Sequence, residues 1–556
     1  MPRESPFPAL DIPKTNILSY LFPTGTNDDT VPLWISSDNE TSSLSTSQLL
    51  SLVKRVAAGF SALGIKPSDV VSVFTPNHIY VPVIYLATVG FGAIFTGFNP
   101  AYTVGELVHL LRDSEAKVIF VHPRLLSTAR EAASQTGRLE PRLVLFPDGP
   151  VEARTQGYRD WWSYLESPAK ASSWSWDNYG PNEAESRVAT INYSSGTTGL
   201  PKGVMVTHGN IIANIRQTIF IRYHLTPTKR ATERWLGFLP LYHAYGQLYT
   251  ILMACKLRIP VYVMESFELR KFLGAIQRFK ISNLQIAPPI LVMLDKRPEV
   301  QEYDLSSVRE VVCGAAPIPL ELQTRISQRF GFKFTIGWGM TELTCTGTSI
   351  PGGMVENTGS VGFLLPGMEA KLVDEAGYEV ATGERGEILI KGPNVCLGYW
   401  RNPGATKDLF DDQGWLKTGD VAVTNSEGLF WIVDRKKELI KVNGLQVAPA
   451  ELEAKLLENE HVADVGVVGI NLDDNEWPMA YVVLKDKSKQ TTTTPSEIAS
   501  WLATQVAKHK HLRGGVSIVD QIPKLASGKI QRKVLREWAR REAQQRQTSQ
   551  RMLAKI

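Results

Sequence analysis

The sequence predicts an α/β protein of at least two domains, with a stretch of antiparallel β between a large body and a small C-terminal unit. Three observations lead there. The chain has 556 residues, far more than one hydrophobic core organises. Helical stretches such as "TSQLLSLVKRVAAGFSALG" alternate with short apolar runs such as "VVSVF", "AKVIFV" and "RLVLF", the rhythm of helices crossing over parallel strands. From about Gly359 strands shorten and Gly/Pro turns crowd in, as in "GSVGFLLPGMEAKLVDEAGYEVATGERGEILIKGP", which reads as antiparallel β.

Composition excludes several functions. At 43% hydrophobic and 21% charged the chain is ordinary globular protein, and a net charge of +4 makes no case for nucleic acid, which needs a concentrated basic face. Cys255, Cys313, Cys345 and Cys396 form no C-x-x-C pair, so neither a zinc site nor a disulfide framework is suggested. A reducing compartment is the default. The N-terminal "MPRESPFPALDIPKTN" lacks the apolar stretch of a secretory signal.

Taken in chain order, the first notable element is the uncharged run from Ile79 to Gly105. Pro82, Gly90, Gly92, Gly97, Asn99 and Pro100 interrupt it, so a buried helix, a turn and a core strand are expected rather than a membrane span. Next comes "INYSSGTTGLPKGVMVTHGN", Ile191 to Asn210. Glycines let backbone N–H groups approach an anion, and hydroxyls and a lysine add donors. The P-loop register fails, because Lys202 lies between Pro201 and Gly203. The loop is entered from "RVATINY" and left by "GVMVT", so a strand–loop–strand element is expected, with a helix capped by Thr207. The competing reading is a flexible Ser/Thr/Gly linker, but linkers are rarely flanked by buried-type strands. The α/β rhythm continues through "SNLQIAPPI", "VREVVCG" and "FKFTIGWG" to the antiparallel segment. After the lysine-rich "VDRKKELIKVNG" follow "APAELEAKLLENEHVADVGVVGI", "MAYVVL" and "PSEIASWLATQVAKH", a compact α/β unit. A boundary falls at Asp434 to Lys437, dividing 1–434 from 435–556, and the end "REWARREAQQRQTSQRMLAKI" is a charged helix or a frayed tail.

The Ser/Thr/Gly loop is followed in order by "WGMTE" (Trp338 to Glu342), "GEILIKG" with Glu387, "WLKTGD" ending at Asp420, "VDRKKELIKVNGLQVAPAELE" and "PKLASGKIQRK". With these motifs the chain, from about residue 30 to about residue 540, resembles the adenylate-forming enzymes. They include acyl-CoA synthetases, 4-coumarate–CoA ligases, beetle luciferases and nonribosomal-peptide adenylation domains. "SSGTTGLPKGV" and "LIKxxGxQVAPAELE" follow the 4-coumarate–CoA ligase-like branch most closely. The resemblance implies a large N-terminal domain of two α/β sheets plus a β-barrel, with a small mobile C-terminal α/β domain. It implies ATP, Mg²⁺ and CoA, and a small aryl or medium-chain carboxylic acid made into acyl-AMP and then acyl-CoA. A luciferase-like oxygenase, a stand-alone adenylation enzyme for a carrier protein and a non-catalytic nucleotide binder are the alternatives.

Residue chemistry agrees. Trp338 offers a broad face to adenine, against the plain reading of a core tryptophan. Asp420 can accept two ribose hydroxyls, against that of a turn aspartate. By resemblance, Arg435 sits near the ribose, Thr341 touches the α-phosphate and Glu342 holds Mg²⁺, a hard cation suited to oxygen ligands. Ser194, Ser195, Gly196, Thr197, Thr198, Gly199 and Lys202 would wrap the departing phosphates. His243 in "LPLYHAYGQ" would lie at the reacting carboxylate, although a lone histidine among apolar residues is usually structural. Tyr245, Ala315 (within Cys313 to Ala316) and Gly337 would line the acyl pocket. Lys529 in "ASGKIQRK" would stand between carboxylate and α-phosphate, relieving the repulsion of two anions. Alone it would read as a solvated lysine beside Arg532 and Lys533. Lys441, Asn443, Gly444 and Gln446 match the face turned inward for the CoA step, and Lys437 the hinge.

Departures limit the implied substrate. "IGWG" replaces the usual Gln-Gly-Tyr-Gly, so Ile336 removes an amide and Trp338 a hydroxyl. Ser266 and Asn443 stand where basic residues are frequent. "GMTELTCTGTSI" also lacks the residues usual after this motif in plant coumarate ligases, so a hydroxycinnamate acid is not implied. The last three residues, Ala554, Lys555 and Ile556, resemble the peroxisomal address Ser-Lys-Leu, so an import receptor and a peroxisomal location are expected.

Overall fold

The computed structural model describes residues 2–23, 29–137, 141–149, 157–194, 200–226, 233–314, 318–442, 445–472, 475–486, 491, 494–525 and 528–553. Three sheets build the body. In the first, seven strands run in the order Gly398–Tyr399, Lys202–Thr207, Val188–Ser194, Ile94–Phe98, Val70–Phe74, Val118–Val121, Arg142–Leu145. The pairs from Val188–Ser194 onward are parallel. The uncharged run is a helix, Val81–Phe91, and the strand Ile94–Phe98. Every residue from Val81 to Gly90 is buried, because the helix is packed within the body and has no polar face. No described helix is long and apolar enough to cross a membrane.

The second sheet has nine strands. At its centre Asn283–Ile286, Glu310–Cys313 and Lys333–Trp338 run side by side and parallel, so their C-terminal ends lie together at one edge of the sheet, the edge where ligands bind in open α/β sheets. The β-barrel element of the expected fold is a five-stranded antiparallel sheet of Arg3–Glu4, Glu369–Val373, Gly386–Lys391, Leu416–Thr424 and Phe430–Arg435. Its last pairing sets Arg435 opposite Asp420, so Arg435, expected on the far side of the boundary, ends the body's sheet.

The C-terminal unit, called the cap below, starts with a hairpin, Ile440–Val442 with Leu445–Val447. Its sheet is Val462–Leu472, Asn475–Leu484 and Gly515–Ile518. Leu452, Leu456, Ile498 and Leu502 of helices Pro449–Glu458 and Thr494–Ala503 pack one core with the sheet. Leu535, Ala539 and Ala543 of helix Arg532–Leu553 pack a second. The charged end of the sequence is thus helical through Leu553.

Candidate active site

The nucleotide side is built at a strand end. Trp338 closes Lys333–Trp338, with Gly337 and Trp338 paired antiparallel to Ser349 and Thr348. Its indole Nε1–H donates to Asp420 Oδ2 at 2.8 Å, and Arg435 Nε lies 3.1 Å from Asp420 Oδ1. Asp420 is buried, so its charge depends on these partners. Each carboxylate oxygen keeps lone-pair capacity, and further hydroxyl donors can join without displacing either partner. Ile336, the departure beside them, packs with Ile350 and Leu429.

The phosphate side meets at a residue that sequence reasoning missed. Ser194 and Lys202 are the last pair of an antiparallel ladder, so both ends of the glycine-rich loop are pinned together. Ser195, Gly196, Thr197, Thr198 and Gly199 lie outside the described residues. Thr207 caps the helix His208–Tyr223 in a reciprocal pair with Asn210, as expected. Lys202 Nζ stands 4.9 Å from the centre of the Tyr399 ring, a cation–π contact. The Tyr399 hydroxyl donates to Glu342 Oε1 at 2.8 Å, and burial with the Glu342 charge pushes the phenol's pKa up. Thr341 and the buried Glu342 begin the short helical turn Thr341–Leu343. Among the described residues no group of three or more His, Cys, Asp or Glu could hold a metal ion. A single carboxylate fits Mg²⁺ carried largely by water and phosphate oxygens.

On the side expected to take the acid stands His243. Its Nδ1 accepts from the Tyr245 backbone N–H at 3.3 Å, capping a short helix that continues as π-helical turns over Gln247–Met253. Burial, then the Lys529 charge, pushes His243 down to about 4. The ring is therefore neutral near pH 7, with its proton on Nε2. The Tyr245 hydroxyl donates to Val312 O at 3.2 Å, at the end of a central strand, and its ring meets Tyr249 edge-on. Burial, with Tyr249, Cys313 and Cys345 around it, raises the Tyr245 phenol. Ala315 lies outside the described residues.

The cap is docked with Lys529 turned inward. Burial and the Arg435 charge push Lys529 down to about 8, while Glu438 and Asp420 hold it up. Asp420 and His243 of the body and Lys529 of the cap therefore share one electrostatic neighbourhood. Two further residues that sequence reasoning missed, Glu438 and Arg532, frame it: the Arg532 guanidinium lies 2.8 Å from Glu438 and 2.5 Å from Glu453. At the hinge, Lys436 Nζ bonds Glu387 of the body at 2.7 Å, and Arg536 Nη2 donates to Lys437 O at 3.0 Å. Lys441 points elsewhere, toward Glu375 Oε1 at 3.8 Å on an exposed face. Asn443, Gly444 and the side chain of Gln446 lie outside the described residues. No local signal marks Tyr399, whose partner Glu342 lies far back in the chain. Glu438 and Arg532 lay inside motifs already singled out.

Comparison with known proteins yields a consistent set. A family model described as AMP-binding enzyme matches residues 24–400, and one described as AMP-binding enzyme C-terminal domain matches residues 451–529. Phenylacetyl-CoA ligase epaB of Aspergillus niger is 36% identical, covering 95% of this chain and 98% of its own. Probable 4-coumarate–CoA ligase 1 of Dictyostelium discoideum is 37% identical over 87% of this chain and 88% of its own. ATP-bound MatB from Rhodopseudomonas palustris superposes with a TM-score of 0.82 at 27% identity, covering 95% of this chain and 99% of its own. The apo form of MatB gives 0.70 over the same coverage.

Proposed function

This chain belongs to the AMP-binding enzyme family, within the adenylate-forming superfamily, and on that premise we propose that it is an AMP-forming acid–CoA ligase. The observation that carries the reading is Lys529, docked on the body with its turn against Pro289, where the Asp420 charge acts on it and its own charge acts on His243. A pure nucleotide binder has no use for a half-buried cation held there. A small aryl or medium-chain acid is the proposed substrate class, in keeping with the relatives named for aryl acids.

In the proposed first half-reaction the acid's carboxylate attacks the α-phosphorus of ATP, giving acyl-AMP and pyrophosphate. Asp420 takes the ribose hydroxyls, Trp338 faces adenine and Thr341 meets the α-phosphate. His243 donates its Nε2–H to an oxygen of the acid, and Lys529 lowers the repulsion between carboxylate and phosphate. Glu342 would hold Mg²⁺, which neutralises phosphate charge, and Tyr399 fixes that carboxylate. The cap then turns about Lys436 and Lys437, bringing the Lys441 hairpin inward. The CoA thiol attacks the acyl carbon and AMP leaves. The greater likeness to ATP-bound than to apo MatB supports assigning the present cap position to the first half-reaction.

The test is pyrophosphate release over a panel of arylacetic, arylpropenoic and medium-chain acids, with and without CoA. Acid-dependent release followed by acyl-CoA formation is expected. Release with no thioester would favour the carrier-protein or oxygenase alternatives, and none with any acid would reject adenylation. Peroxisomal import through Ala554, Lys555 and Ile556, which lie outside the described residues, is the accompanying proposal. A fluorescent fusion carrying the last dozen or so residues that stays diffuse would reject it.

A further inference from the structure

We propose that the helix Pro288–Lys296 of the body is the strut on which the cap docks for adenylation, and that Lys296 is its positioning residue. The helix meets the cap at both ends. At its start, Gly528 of the Lys529 loop lies against Ala287 and Pro289; a Cβ on Gly528 would come within 2.6 Å of Pro289 Cγ. At its end, Lys296 Nζ donates to the cap carbonyls of Val462 at 2.9 Å and Ala463 at 3.4 Å. Between them Val292 shares a cleft with Ala454 and Leu457 of the cap.

The cap presents these carbonyls for a reason. The register of Val462–Leu472 against Asn475–Leu484 slips between Val462 and Asp464, leaving Ala463 as the extra residue of a β-bulge. A bulged carbonyl has no partner in the ladder and must find one elsewhere. The helix is fixed to aim Lys296 at it. Arg329 Nη1 donates to Leu294 O and Asp295 O, and Arg325 pairs with Asp295 at 2.8 Å. The helix's own last carbonyls and acid are thereby taken, and Lys296 is left for the cap. Burial also pushes the Lys296 ammonium down to about 8, so it sits here at the expense of hydration.

The contact leads on to the reacting end of the cap. Asp464, next to the bulge, holds Lys524 Nζ at 2.6 Å. Lys524 bridges Ile530, and Leu525 N–H donates to Lys529 O at 2.8 Å. Lys296, the bulge, Asp464, Lys524 and the Lys529 turn are thus connected by alternating hydrogen bonds and chain neighbours.

This proposal rests on the two-step reading above, and its test separates the two. In the full-length enzyme, Lys296→Met should slow acid-dependent ATP–pyrophosphate exchange by about tenfold, the size of one charge-assisted hydrogen bond. The KM for ATP should stay within about twofold, and thioester formation from synthetic acyl-AMP should be unchanged. Lys296→Arg, which keeps a donor, should recover most of the exchange. Asp464→Asn, which loosens Lys524, should show the same split in milder form. Unchanged exchange, or equal slowing of both halves, overturns the strut. Should the wild type exchange with no acid at all, the ligase reading falls, and the strut is then judged by trypsin cleavage after Lys436 and Lys437. Cleavage is expected several-fold faster in Lys296→Met at an unchanged melting temperature; equal rates overturn the proposal.

Discussion

The two lysine-bearing faces of the cap are in opposite states. The Lys529 turn is pressed against the body, its Gly528 against Pro289, and its ammonium is pushed down to about 8 by burial and Arg435. The Lys441 hairpin lies outside, its ammonium 3.8 Å from Glu375, with the two side chains 65% and 67% exposed. A pair so exposed contributes between nothing and about 1 kcal/mol. Burial can hold a face in place, whereas an exposed ion pair leaves it free to go. On the proposed two-step reading, the face assigned to adenylation has firm contacts, and the face assigned to the CoA step has a contact that is easily broken.

The comparison is tested hardest at Lys529. A cation ~4 Å from a unit negative charge contributes up to ~4 kcal/mol at an effective dielectric near 20. Lys529→Ala is therefore expected to slow pyrophosphate exchange by roughly 10²–10³ while sparing CoA attack on preformed acyl-AMP. Equal loss in both halves would mean that the two faces do not serve separate steps. Next in size, Asp420→Ala should raise the KM for ATP by about tenfold or more, given roughly 1.5–3 kcal/mol for hydrogen bonds to a charged group. The KM for the acid should move little, and parallel weakening of both would return Asp420 to a purely structural part. The third test is pH. Lys529 must be protonated to act, and its pKa in the free enzyme is held near 8. Adenylation kcat/KM should therefore fall as pH rises through about 8, by up to about tenfold per unit. Lys529→Arg, charged at every accessible pH, should flatten that limb; an unchanged limb would assign it to another group. Smaller still, Tyr399→Phe removes the donor on Glu342 and should raise the Mg²⁺ needed for half-maximal rate by about threefold. The smallest expected effect sharpens the outer face: Glu375→Gln should change either half-reaction by less than about twofold. A large effect there would mean that the hairpin is held, not merely parked.

Much of this was legible because it is local. The strand–loop–strand element around Ser194 and Lys202, the Thr207 cap and the buried helix at Val81 each follow from residues within one turn or two strands. Trp338, Asp420 and Lys529 were legible as motif positions, and the structure brings them together although 191 residues separate the first from the last. What was not legible arises only from tertiary approach. Tyr399 lies in a two-residue edge strand whose pairing with Val204 no local pattern announces. "EVQEYD" and "MLDKRPE" give Lys296 the look of any solvated lysine at a helix end. The bulge at Ala463 is equally silent, since "HVADVGVVG" reads as an unbroken strand until its partner's register is known. The pairing of Arg3–Glu4 with Glu369–Ala370 could not be read at all, because sheet partners so far apart in sequence share no pattern.

Gly528 has a consequence for how such a chain can drift. Its φ of +82° already disfavours any other residue, and Pro289 independently excludes a side chain there. The first constraint belongs to the cap's own turn, closed by Gly528 N–H on Leu525 O, whereas the second comes only from docking that turn on the body. A lineage that kept the nucleotide slot for some quieter purpose would lose the second constraint and keep only the milder first, so Asn or Asp could enter at this codon while Trp338 and Asp420 persisted. One glycine therefore offers a cheap marker, readable in a gene before any protein is made, for telling working members from retired ones.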